Sequence, residues 1–276
     1  MGEALLFGIL GSSALVLGGV LGAKWEAPTQ VSGVLLAFAS GTLLSALSFE
    51  LFPEAVHLGG LFPAAAGLLA GGATFVVVNT WLDSRVARQA GDPDNVLAPD
   101  GISGELSGAE AEQSEKIRDA ASGNVAGAVA FALLAAVTLD GVPENLAMGV
   151  SLVSDEAAAE GGGGGTLALL VAIFASNFPE SLVGAVAMKA AGRSDKFAIG
   201  VWSAAAVLLA AAVVFGYSIF SGVGETSLAF AMAFAGGAVL ASLADTLMPE
   251  AFEHGRPFNS FATAAGFFVA FVLATI

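Results

Sequence analysis

Apolar residues fall in long blocks separated by short polar stretches, at about 4–23, 31–53, 61–82, 123–153, 166–188, 197–220, 227–250 and 260–276. Each block is close to the ~20 helical residues needed to cross a ~30 Å hydrocarbon core. The pattern therefore predicts eight transmembrane helices and an all-α integral membrane fold. The short alternating segments of a β-barrel are absent. The chain divides into 1–82 (helices 1–3), a polar loop at 83–122, and 123–276 (helices 4–8), all one membrane domain. The first block carries no basic residue ahead of it, so it reads as a retained helix and not as a cleaved signal peptide.

Composition sharpens this picture. Only 12% of the 276 residues are charged and mean hydropathy is +0.83, against about 25% charged in a soluble domain. A formal net charge of −15 argues against a nucleic-acid partner. The absence of cysteine excludes disulfides, thiolate metal sites and a cysteine nucleophile. All nine basic residues fall on one side of the eight-helix pattern: Lys24, Arg85, Arg88, Lys116, Arg118, Lys189, Arg193, Lys196 and Arg256. The positive-inside rule then predicts a cytoplasmic 83–122 loop, with nine acidic and four basic residues, and both termini extracytoplasmic. The acidic 155–160 stretch and the glycines at 161–165 read as a flexible external tether.

Internal similarity adds a second layer. Residues 37–55 and 233–251 share ten identities in 19 positions at an offset of 196, ending in Pro53-Glu54-Ala55 and Pro249-Glu250-Ala251. The stretch Val142-Pro143-Glu144-Asn145-Leu146 is matched by Phe178-Pro179-Glu180-Ser181-Leu182. In the predicted topology each pair crosses in opposite senses. An inverted repeat follows, with helices 1–3 related to 6–8 and helix 4 to helix 5, and proline-broken helices in corresponding places point to a binding site between them.

The chemistry lies in those helices. Asp140, Glu144, Glu180 and Asp245 fall at bilayer depth, with Glu50, Glu54 and Glu250 nearer the helix ends. A carboxylate at a helix centre costs roughly 2.5–3.5 kcal/mol on insertion scales, so several of them require a compensating purpose. Asp140 and Glu144 share a face, as do Ser176 and Glu180, with Asn177 beside Ser176. Pro143 and Pro179 free the carbonyls of Leu139 and Ala175. Such an all-oxygen cage, with no lysine or arginine in any span, suits a divalent cation. The plainer alternative is that these carboxylates are protonated and only join helices. Met148 and Met188 read as core, His57 and His254 as surface residues, Asn79 and Trp81 as interfacial anchors, and Asp245 as lining the path or bonding Ser242.

At these residues the chain resembles the ZIP (Zrt/Irt-like) family of divalent-metal transporters over nearly its whole length. The resemblance rests on eight spans with both ends outside, the long loop between helices 3 and 4, the Pro-Glu motifs of helices 4 and 5, and the endings Phe52-Pro53-Glu54-Ala55 and Met248-Pro249-Glu250-Ala251. It implies a metal site between helices 4 and 5, with Glu144 and Glu180 as ligands and Asp140 in the place of a usual histidine. Ser176 stands where helix 5 commonly has His or Gln, and Asn177 where it has Asn or Asp. The family asparagine is Gly141 here, its post-Pro-Glu glycines are Asn145 and Ser181, and a methionine ligand is Leu43. Helix 6 carries no carboxylate and the long loop no histidine. Oxygen donors suit Mn²⁺, Mg²⁺ or Ca²⁺ and tolerate Fe²⁺, whereas the family implies zinc or a broad set of first-row metals.

The expectation is therefore a plasma-membrane secondary transporter that moves zinc, manganese or iron into the cytoplasm, without enzymatic activity or an organic cofactor. Asp140, Glu144, Ser176, Asn177 and Glu180 would bind metal, and Glu50, Glu54, Asp245 and Glu250 would line the pathway. Expected partners are the metal ions, the bilayer and, as one option, a second copy. No Walker-type phosphate loop is present, so an ion gradient drives the movement. A metal sensor or scaffold without transport is the alternative. An intramembrane aspartyl hydrolase is a distant third, since Asp140 and Asp245 lie in no Gly-x-Gly-Asp setting.

Overall fold

The computed structural model describes residues 1–25, 27–90, 141–154, 163–190 and 192–275. Asp140, most of the 83–122 loop and residues 155–162 lie outside the described residues, while Gly163–Gly165, expected as part of a flexible tether, form the start of a helix. Helices α1 (Gly2–Lys24), α2 (Thr29–Gly59), α3 (Leu61–Ala90), α4 (141–154), α5 (Gly163–Ala190), α6 (Asp195–Phe220), α7 (Glu225–Gly255) and α8 (Asn259–Thr275) follow in order, and no strand occurs among the described residues. Six of them, α1, α2, α3, α5, α6 and α7, are long and apolar enough to cross a membrane. Their outer faces carry large apolar side chains such as Leu69 and Val77 on α3. With the backbone groups of each span bonded along its helix, such a surface suits hydrocarbon and not water. The chain is an α-helical membrane protein. α8 is apolar but has 17 residues, and only residues 141–154 of the fourth block are described.

α2 outruns the block at 31–53. Pro53 was expected near its end, yet the helix continues to Gly59 and stops at Gly60, whose φ of +84° a glycine adopts without strain. The reason is a π turn over Leu47–Leu51, in which Phe52 N–H bonds to Leu47 O. A proline ring clashes with the carbonyl four residues earlier, and the wider turn ahead of Pro53 relieves that clash. α7 repeats the device. An α stretch of 18 residues, a π turn of five (Leu243–Leu247) and an α stretch of eight that opens on Met248-Pro249 match those of α2 at the same offset of 196.

Close glycine contacts fix the relative senses of the helices. Gly33 lies against Gly255, and Gly59 against Ala229, so α2 and α7 run antiparallel. Gly11 meets Ile173 and Gly22 meets Ala185, which makes α1 and α5 parallel. Gly141 meets Leu209 and Gly149 meets Tyr217, which makes α4 and α6 parallel. α1 and α6 are antiparallel through Gly8–Ala210 and Gly19–Trp202, while α3 and α7 are parallel through Gly67–Phe230 and Gly71–Ala238. These senses are those of a chain that crosses back and forth.

The helices form two bundles. In one, α1 packs on α5 and α6, with α4 on α6; in the other, α2 packs on α7 and α8, with α3 on α7. α2 and α8 meet α5 across the boundary. There, Leu36, Leu43 and Leu47 of α2 share an apolar core with Met148, Leu169 and Ile173. The α1/α5/α6 interior is a second core around Leu15, Met188, Trp202 and Leu209. Met148 and Met188 are fully buried in these cores, as core packing requires.

Candidate metal centre

Glu144 of the first Pro-Glu motif meets α5 one turn ahead of the second. Glu144 is 2% exposed and Ser176 is fully buried, and Ser176 Oγ donates to Glu144 Oε2 at 3.2 Å. A carboxylate placed in an apolar interior is costly unless its oxygens find donors or a cation. The same hydroxyl lies 3.0 Å from Ile173 O, so its one hydrogen is shared while its lone pairs stay open to a ligand. α5 runs unbroken through Pro179, and Glu180 follows Ser176 by one turn, half-buried on the same face. Asp140, the fifth predicted ligand, lies outside the described residues.

Asn177 and Ser181 turn towards α1. Asn177 Nδ2 donates to Gly11 O at 3.2 Å, and Ser181 Oγ reaches Asn177 O at 2.8 Å, Phe178 O at 3.0 Å and Ala14 O at 3.4 Å. With its nitrogen engaged, Asn177 presents Oδ1, which is buried and has no donor. Asn145 behaves alike: Nδ2 bonds Gly141 O at 2.8 Å and Oδ1 is buried without a donor. A buried oxygen that no donor reaches is a cost unless water or a cation meets it. Residues 144–145 and 176–177 thus carry a carboxylate, a hydroxyl and two buried amide oxygens on α4 and α5. Glu180 adds its carboxylate one turn away. That donor set matches a hard cation, and it contains no imidazole. Among the described residues, no three histidine or carboxylate side chains converge on one point.

The four carboxylates expected along a pathway sit on the second bundle. Glu50 lies in the α2 π turn and Glu250 just after the α7 π turn, both half-buried. Glu54, also half-buried, accepts from Ser154 Oγ of α4 at 2.6 Å. Asp245 is exposed and accepts from Asn79 Nδ2 of α3 at 2.7 Å. Asn79 is therefore a partner of Asp245 and not a bare interfacial anchor. The Ser242 hydroxyl lies 3.4 Å from that of Thr246. His57 is exposed, and His254 Nδ1 lies 3.1 Å from Glu250 O.

Sequence reasoning missed Asn79, Asn145 and Ser154. Asn145 carried a signal, since it is an amide in an apolar block beside Pro143-Glu144. The other two make contacts across 166 and 100 residues, which no local pattern encodes. No protein-family model matches this chain, and no curated protein matches it.

Proposed function

We propose that this protein is a ZIP-type secondary transporter that carries divalent metal cations into the cytoplasm. Metal would bind at the α4/α5 site and cross by rocking of the α1/α4/α5/α6 bundle against α2/α3/α7/α8. The observation that carries the reading is the buried Glu144–Ser176 pair, a carboxylate of α4 held in an apolar interior against a hydroxyl of α5. Glu144, Ser176, Asn177 and Glu180 bind the ion, with Asp140 one turn before Glu144 in sequence. Glu50, Glu54, Asp245 and Glu250 line its route. Zinc, manganese and iron are the substrates considered, and the oxygen-rich donors favour manganese.

Paired geometry supports the inverted repeat. α2 and α7 are divided identically and run antiparallel. Gly22 of α1 lies on the Leu182 carbonyl just after one Pro-Glu motif, and Gly216 of α6 lies on the Leu146 carbonyl just after the other. The orientation is supported by contacts that gather basic residues at one end. Lys189 Nζ donates to Ala23 O at 2.6 Å and lies 3.0 Å from Asp195 Oδ1, while Gln30 Nε2 donates to Arg256 O at 3.0 Å. That end faces the cytoplasm in this reading, which places eight spans in the plasma membrane with both termini outside.

Uptake of ⁵⁴Mn²⁺ and ⁶⁵Zn²⁺ into proteoliposomes tests the proposal. Flux in the wild type that is lost in Glu144→Ala and Glu180→Ala is expected. Metal binding without flux would assign the fold to a sensor.

A further inference from the structure

Most side-chain hydrogen bonds described above stay within one bundle. Asn79–Asp245 and Gln30–Arg256 hold the second bundle, while Asn177–Gly11, Ser176–Glu144 and Lys189–Ala23 hold the first. Ser154 to Glu54 is different. It joins the last described residue of α4, in the first bundle, to the end of α2, in the second. Ser154 is 2% exposed, and at 2.6 Å its bond to a carboxylate is short and of the charge-assisted kind. Ser151 Oγ and Thr166 Oγ, 3.0 Å apart, couple the same end of α4 to the start of α5. Whatever fixes Ser154 therefore fixes the α4 and α5 ends together.

We propose that Ser154 is a positioning residue that clamps the two bundles at their extracytoplasmic end by holding Glu54. The clamp also orients the Glu54 carboxylate: Oε1 is held by Ser154 and Oε2 is left for an arriving cation. It stands whether or not metal is transported, while its role in setting the transport cycle rests on the reading above. At this end Val150 and Val153 of α4 also pack with Ala55 of α2 and Leu228 and Met232 of α7, so separation breaks both the bond and this apolar contact, and the bond adds its own bias towards the joined form. Loss of the hydroxyl then shifts the equilibrium towards a form in which the α2 and α4/α5 ends are apart. Glu54→Gln keeps a carbonyl oxygen for Ser154 and removes only the charge, so clamp and ion attraction can be told apart.

The chain has no cysteine, so spin labels at Val56→Cys and Leu167→Cys report the separation of these ends without background sites. Both residues are exposed, on α2 and α5 respectively. In metal-free double electron–electron resonance, Ser154→Ala is expected to raise the population of a longer distance about tenfold, the worth of one charge-assisted hydrogen bond. Ser154→Thr and Glu54→Gln should keep the parental distance, and Glu54→Ala should match Ser154→Ala with no further change in the double variant. Identical distributions in parent and Ser154→Ala, with both folded by circular dichroism, would overturn the clamp. A longer distance in Ser154→Ala without metal flux in any variant would keep the clamp and remove the transport reading.

Discussion

Ser176 Oγ donates to Glu144 Oε2 at 3.2 Å, with both residues buried and each one turn or less from a proline that interrupts its helix's bonding. The bond ties the Pro-Glu carboxylate of α4 to α5 one turn before Pro179-Glu180, through a weak neutral donor. Replacing Glu144 by alanine removes a charged ligand, and metal affinity by calorimetry should fall beyond detection. Ser176→Ala removes a neutral ligand of ~1 kcal/mol, so affinity should fall about fivefold.

Asp245 and Asn79 give a prediction in which stability and transport separate. Asn79→Leu removes the hydrogen bond to Asp245 and should cost about 0.5–1.5 kcal/mol, read as a lower midpoint of thermal unfolding in detergent. Asp245→Asn keeps an acceptor for Asn79 and should unfold like the wild type. If Asp245 lies on the ion's route, uptake falls in that variant all the same.

Gly22 and Gly216 occupy matching places against Leu182 and Leu146. A Cβ at either would press on a backbone carbonyl, and overpacking of this kind typically costs 1–3 kcal/mol. Gly22→Val and Gly216→Val should both lower the unfolding midpoint. A loss at one and none at the other would speak against equivalent roles in an inverted repeat.

Donor chemistry gives the metal preference. Asp140→His introduces an imidazole beside the Pro-Glu motif and should raise the Zn²⁺/Mn²⁺ uptake ratio, because nitrogen donors favour zinc. An unchanged ratio would remove Asp140 from the ligand set.

Much of the architecture was legible in the hydrophobic pattern. The blocks at 4–23 and 197–220 correspond to Gly2–Lys24 and Asp195–Phe220 within a few residues, because lipid demands a length that composition alone reveals. The ends of α2 and α7 were less legible. Pro53 and Pro249 look like stops in sequence, and only a π turn, which leaves no compositional mark, lets the helix pass them. At the site, same-face relations such as Ser176 with Glu180 follow from helical spacing. Asn177 turning to Gly11 O, and Ser154 reaching Glu54, depend on how helices pack across distant stretches of chain. Asn79 approaching Asp245 from α3, across 166 residues of chain, is likewise beyond any local pattern.

The most direct measurement is the anomalous-scattering map of a crystal grown with Mn²⁺ or Zn²⁺. The account predicts a peak between α4 and α5 with carboxylate oxygens of both Glu144 and Glu180 at about 2.0–2.3 Å. A peak elsewhere, or a Glu180 side chain directed away from Glu144 in the metal-soaked protein, would contradict it.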